Sequence, residues 1–172
     1  LAGRAGVSFD GRGDIVEMPT HLESLAVPFS FAFWVNPAAE QMEYANILGN
    51  HEGFLGLVSQ QDRNKTNLFS FGYGDAGVGY GPGAAQLTAG TWQHVAIVCD
   101  GKKAFFYVNG EAKSTGSSEG RFTPNMRMTF RLGQGYSKDR YFRGTLSDVR
   151  IYRMALSQAD VKAVMEEKVE KN

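Results

Sequence analysis

The apolar residues of this chain fall in short alternating runs broken by glycine, and the runs predict strands. The clearest is PFSFAFWVNP, residues 28–37, set between two prolines. Side chains alternate across a strand, so Phe29, Phe31, Phe33 and Val35 point one way and Ser30, Ala32 and Trp34 the other. GVSFDGRGDIVEMP alternates around a glycine-rich turn and predicts two short strands. YANILGNHEGFLGLVSQ (44–60) holds two more around GNHEG, and TNLFSFGYG (66–74) alternates again. DAGVGYGPGAAQL (75–87) reads as a loop that can hold one short strand. In GTWQHVAIVCDGKKAFFYVNG, residues 92–99 are apolar on both faces, as a central strand requires. Asp100-Gly101 then supplies a tight turn, residues 104–108 return, and Asn109-Gly110 signals a second hairpin into EAKST. RMTFRLGQG (127–135) and RGTLSDVRIYR (143–153) add strands on either side of the loop YSKDRYF.

The last segment alone carries a helical period. Ser157 fits an N-cap, Asp160 holds the capping-box position, and Val161, Val164 and Met165 form a stripe. This predicts a helix over about 158–168 with a solvated EEKVEK face and a frayed tail at 169–172. About a dozen strands, one terminal helix and no parallel-unit pattern predict an all-β fold, a two-sheet antiparallel jelly-roll sandwich. At 172 residues the chain suits a single domain, 1–172, and no internal repeat, linker or low-complexity tract divides it.

Charge and cysteine content narrow the function. Lys plus Arg and Asp plus Glu are 18 each, so there is no net positive charge to bind nucleic acid or an anionic membrane surface. No stretch approaches the roughly 18–20 apolar residues of a membrane span, and membrane insertion is not expected. Cys99, the single cysteine, sits in an apolar run and reads as an inert buried thiol. The chain shows neither a start Met nor a signal-peptide pattern, and a piece of a longer protein is expected.

VSFDGRGDIVEMP, FSFAFWVNP, GTWQHVAIVCDGKKAFFYVNGE and GTLSDVRIYRMALSQADVKAV resemble, in this order, the landmarks of LamG-like jellyroll domains of the concanavalin A-like lectin/glucanase superfamily. The resemblance runs from about residue 6 to 166. It implies two stacked antiparallel sheets with loops gathered along the rim, in a secreted or cell-surface bacterial protein with companion domains. Many such modules bind glycans. Trp34 and Trp92 are then framework residues. The resemblance also implies a structural calcium ion held by Asp10 and Asp148. The alternative is that Asp148 pairs with Arg150, Arg143 or a backbone N–H, while Asp10 stabilises its own turn.

Catalytic signatures of the superfamily are missing from the strands. Its laminarinase-type hydrolases carry a Glu-x-Asp-x-x-Glu strand, and a retaining glycosidase needs carboxylates about 5 Å apart. No strand here spaces acids that way: Glu40 and Glu43 lie in a loop, Glu166 and Glu167 at the helix end. Its alginate-type lyases use Gln-x-His, whereas Gln93 and His94 are adjacent and face opposite sides. His51 with Glu52 on a loop could touch a ligand or a metal, a weak signal from two neighbours, and zinc-type spacing is missing. The Arg-Gly-Asp at 12–14 lies in a predicted turn and reads as frame. Sugars offer apolar C–H faces and many hydroxyls, so a site needs tyrosines beside polar side chains. Tyr73, Asp75 and Tyr80 offer this in one loop, and Gln134, Tyr136, Asp139, Arg140 and Tyr141 in another, with Tyr44 and Asn46 joining them. The expected function is a non-catalytic carbohydrate-binding module. The alternatives are a protein-interaction or spacer module with no small ligand, or an unrecognised polysaccharide lyase or hydrolase.

Overall fold

The computed structural model describes residues 4–18, 28–50, 56–60 (backbone path), 67–71, 84–117, 130–135 and 139–167. Within them, strands β1 (Val7–Asp10), β2 (Val16–Glu17), β3 (Phe29–Pro37), β4 (Asn46–Asn50), β5 (Gly56–Gln60) and β6 (Leu68–Phe71) are followed by β7 (Ala84–Gln86), β8 (Gln93–Cys99), β9 (Lys103–Val108), β10 (Glu111–Ser117), β11 (Phe130–Leu132) and β12 (Arg143–Tyr152). One helix, α1 (Gln158–Glu166), ends the fold. The strands form two six-stranded sheets, ordered β1-β12-β3-β8-β9-β10 and β2-β11-β4-β5-β6-β7, with every described ladder antiparallel.

Strand β3 lies between β12 and β8 and is buried on both faces. Its Phe29, Phe31, Phe33 and Val35 enter the inter-sheet core with Ile47, Leu48, Phe69, Phe106, Phe130 and Phe142. The rings meet edge to face, as ring quadrupoles favour: Phe31 and Phe130 at 5.8 Å, Phe69 and Phe142 at 6.2 Å. The other face of β3 carries Ala32, which with Ala96 and Val98 makes a low surface that Leu156 and Val161 of the helical segment cover. Ser30 locks this layer down: its Oγ donates to the Met154 carbonyl at 2.8 Å and accepts from Leu156 N at 3.1 Å.

The turns form where the short polar residues predicted them. Asp100 Oδ1 accepts from the backbone N–H of Lys102 and Lys103 at 2.7 and 2.6 Å, closing the β8–β9 hairpin. Asn109 and Gly110 take φ of 51° and 77°, the left-handed pair that suits the twist of the β9–β10 hairpin. The capping box at Ser157 and Asp160 starts α1 as expected, and the helix stops at Glu166, two residues short of the predicted end. The two N-terminal strands part company: β1 pairs with β12 in one sheet and β2 with β11 in the other. The turn between them thus runs along the sandwich edge and becomes part of its rim. Among the described residues no helix is long and apolar enough to cross a membrane.

Candidate functional site

At this edge the loop after β3 meets the segment joining β11 to β12. Two glycines permit the contact. A Cβ on Gly49 would lie 2.3 Å from the Gly135 Cα, and one on Gly135 would lie 2.4 Å from Asn46 Oδ1. With the backbones this close, Gly133 N donates to the Ile47 carbonyl and Phe142 N to the Gly133 carbonyl, each at 2.9 Å. Asn46 and Gln134 both form bridges to Tyr141. Asn46 N also donates to the Arg140 carbonyl at 3.1 Å, and its Nδ2 donates to the Tyr44 carbonyl at 2.6 Å.

This framework gathers Tyr44, Arg140 and Tyr141, all half-buried. The Arg140 guanidinium lies 5.0 Å from the Tyr44 ring centroid, within cation–π range. Tyr141 N donates to Met42 Sδ at 2.9 Å. Met42 in turn lines an open, mainly polar cleft of about 490 Å³ shared with Asp10, Gly11, Arg12, Glu40, Gln41 and Arg143. Gln41 pins the loop beside it: its Nε2 donates to the carbonyls of Arg143 and Ala38 at 2.6 and 3.2 Å, and its Oε1 accepts from Arg143 N at 3.0 Å. Arg143 Nη1 faces the Glu40 carboxylate at 3.6 Å. The Arg12 N–H holds the Asp10 carboxyl below the usual range, with Gly13 N–H helping, so Asp10 stays an anion in the cleft.

Residues 10–162 match the Laminin_G_3 family, described as the concanavalin A-like lectin/glucanases superfamily. The chain belongs to that superfamily. Solved structures of similar fold include domain 4 of AbnA, an extracellular GH43 arabinanase from Geobacillus stearothermophilus, in complex with arabinotriose. It is 23% identical with a TM-score of 0.61, over 91% of this chain and 74% of that one. A proposed carbohydrate-binding protein from Bacteroides ovatus is 22% identical at a TM-score of 0.66, over 92% of this chain and 47% of its own. A Trypanosoma rangeli sialidase is 18% identical at 0.65, over 91% of this chain and 27% of its own. This concanavalin A-like domain therefore spans about half or less of the last two proteins, and at these identities the likeness establishes the fold.

The calcium pair that the superfamily resemblance implies does not come together. Asp10 stands opposite Arg143 on β12, and Asp148 lies five residues further along, on the order of 15 Å away. Each acid is engaged locally. Asp10 Oδ1 accepts from Arg12 N and Gly13 N at 2.7 and 3.1 Å. Asp148 sits in a bulge at φ 51° and takes Arg150 in a fork, Nε to Oδ1 at 2.6 Å and Nη2 to Oδ2 at 3.0 Å. Among the described residues no group of three or more His, Cys, Asp or Glu side chains is placed to hold a metal.

Of the expected glycan contacts, Tyr44 and Arg140 stack on each other, and Tyr141 is joined to the same framework through its backbone. Gln134 is only 4% exposed and its Oε1 accepts from Arg131 Nη1 at 3.2 Å, so it buttresses the rim from inside instead of facing a ligand. Tyr73, Asp75, Tyr80 and Tyr136 lie outside the described residues, as do His51 and Glu52. Reading along the chain overlooked Met42, Arg12 and Arg143 as lining residues and treated Glu40 only as a failed catalyst. The one local signal was the polar loop AAEQME, which carries Glu40, Gln41 and Met42 directly after β3. Arg143 joins Asp10 only through the β1–β12 register, which no local pattern encodes.

Proposed function

We propose that this domain is a non-catalytic carbohydrate-binding module whose site is the rim formed by Tyr44, Arg140, Tyr141 and the adjoining Asp10–Arg143 cleft. The observation that carries the reading is the Arg140–Tyr44 stack, held through Asn46 to the Tyr141 backbone, beside a polar cleft. The tyrosine rings offer apolar surface to a sugar's C–H face. Arg140, Arg12, Glu40 and Asp10 offer donors and acceptors to its hydroxyls. The glycines at 49 and 135 keep the two segments close enough to act as one surface. The AbnA domain, solved with arabinotriose, supports sugar binding by this fold. A shallow polar site of this kind binds weakly, with Kd on the order of 10 μM to 1 mM. The recurrence of the fold inside longer chains supports a role as one module of a secreted or surface protein.

Two acids line the cleft, and the state of Asp10 supports the non-catalytic reading. A glycosidase's acid needs a carboxyl held protonated at working pH. Asp10 is driven the other way by the Arg12 N–H. Titration of a polysaccharide panel tests the proposal. The expected result is retention on at least one glycan with no release of reducing ends or unsaturated products, and a roughly 5–10-fold loss on Tyr141→Ala, equivalent to one aromatic contact. Product release would restore the enzyme reading. A panel with no retention at all would point to a protein-interaction or spacer module.

A further inference from the structure

The outer face of the β3 sheet has a second polar feature, remote from the Asp10 cleft and beyond the apolar patch that α1 covers. Register places Ser147, Trp34 and His94 in one row across β12, β3 and β8. Trp34 is 5% exposed and His94 2%, with their rings edge to face at 5.4 Å. The Arg4 guanidinium lies over the Trp34 ring, 4.1 Å from its centroid. Three nitrogens on these neighbouring side chains are buried without a hydrogen-bond partner: Arg4 Nε, Trp34 Nε1 and His94 Nδ1.

Such a grouping is costly, because each buried polar group left unpaired loses about 1–3 kcal/mol. The chemistry of the three is uniform. Arg4 Nε and Trp34 Nε1 can only donate, and neutral His94 can carry its proton on Nδ1. Burial lowers the His94 pKa to about 4, with Arg4 and Arg150 adding to the effect and Asp148 opposing it, so the ring is neutral near pH 7. The nearby carboxylate does not answer these donors: both oxygens of Asp148 are occupied by Arg150, which also pairs with Glu167. Arg4 has no carboxylate partner among the described residues and is the uncompensated cation of the group.

We propose that Arg4, Trp34 and His94 form a small anion site that takes a carboxylate group, with Arg4 as its cover. A carboxylate oxygen accepts from Nε of Arg4 and Nε1 of Trp34, and the guanidinium supplies the charge. The ligand class is a small carboxylate, either a simple organic acid or the acid group of a uronic sugar. The site stands on a different surface from the proposed glycan rim and does not depend on it.

The test follows the two indole N–H signals of the whole 172-residue chain by NMR during titration with sodium acetate, sodium glucuronate, glucose and sodium chloride. The Trp34 signal should move and saturate with acetate or glucuronate and stay still with glucose and chloride, while Trp92 serves as the internal control. Acetate and glucuronate acting alike identify a bare carboxylate site; glucuronate acting alone identifies an acidic sugar. Arg4→Gln should weaken the response about 10-fold or more, the loss expected for one charge-assisted hydrogen bond. Trp34→Phe should abolish binding measured by calorimetry while the circular dichroism spectrum is kept. A Trp34 signal unmoved by either carboxylate would overturn the proposal. So would an equal response to glucose, or a crystal structure soaked in acetate that shows only water on Trp34 Nε1.

Discussion

The β8–β9 hairpin and the rim around Tyr141 both rely on polar side chains, and they use them in opposite ways. In the hairpin and its flanks, polar atoms answer backbone a few residues away. Asp100 Oδ1 takes two turn N–H groups, and Gln93 clamps Thr88 through both ends of its amide, each bond at 3.0 Å. Asn109 Oδ1 accepts from His94 N at 2.9 Å, with Asn109 N returning a bond to the His94 carbonyl. At the rim the links run between distant parts of the chain, and Arg143 and Glu40 meet while 55% and 89% exposed. The first arrangement makes a rigid frame in which the side chains of Asp100, Gln93 and Asn109 are taken up by backbone groups. The second leaves polar groups in water, where an exchange for sugar hydroxyls costs little. Stability and recognition are therefore expected to respond to different substitutions.

The sharpest break of the frame is Phe31→Ala. Phe31 is fully buried against Phe29 and Phe130, and its truncation should cost about 3–5 kcal/mol in urea unfolding. A cost below about 1 kcal/mol would show that the two sheets do not pack as described. Acid tests the frame next. His94 has a folded pKa lowered from 6.5 to about 4, so the unfolded chain binds the proton first as pH falls. Its contribution is complete above pH 6.5, declines through the window from 6.5 to about 4, and amounts to on the order of 3 kcal/mol. His94→Gln should flatten that part of the stability–pH curve. The carboxyls with lowered pKa, Asp10, Asp100, Glu111 and Asp160, act mainly below this window. An unchanged slope in the variant would contradict a buried neutral imidazole. Smallest is Ser157→Ala, which removes the cap of α1 and should cost about 1 kcal/mol without touching glycan retention.

How much of this was readable beforehand follows the same division. The Phe29–Val35 alternation, the Asp-Gly and Asn-Gly turns and the Ser157 capping box are local, and each formed as its residues dictate. The opposite facing of Gln93 and His94 was equally legible, since adjacent strand residues must diverge. What escaped depends on register between strands far apart in sequence. The family resemblance implies Asp10 and Asp148 as calcium partners, yet pairing of Asp10 with Arg143 separates them. Gln134 sits among polar loop residues and still turns inward, because Arg131 on the same segment offers it a donor. The Arg4–Trp34–His94 group was invisible for the same reason: the row exists only once β12, β3 and β8 are aligned. Trp34 as framework was a correct reading of its burial, but its unpartnered indole nitrogen belongs to the assembled sheet.

The most direct test of rim recognition compares Tyr44→Ala/Tyr141→Ala, Ser157→Ala and the unaltered chain on immobilised polysaccharides, with unfolding measured in parallel. The double variant should lose retention while its stability changes by no more than about 1 kcal/mol, and Ser157→Ala should be retained like the unaltered chain. Retention of the double variant at full strength would contradict the account.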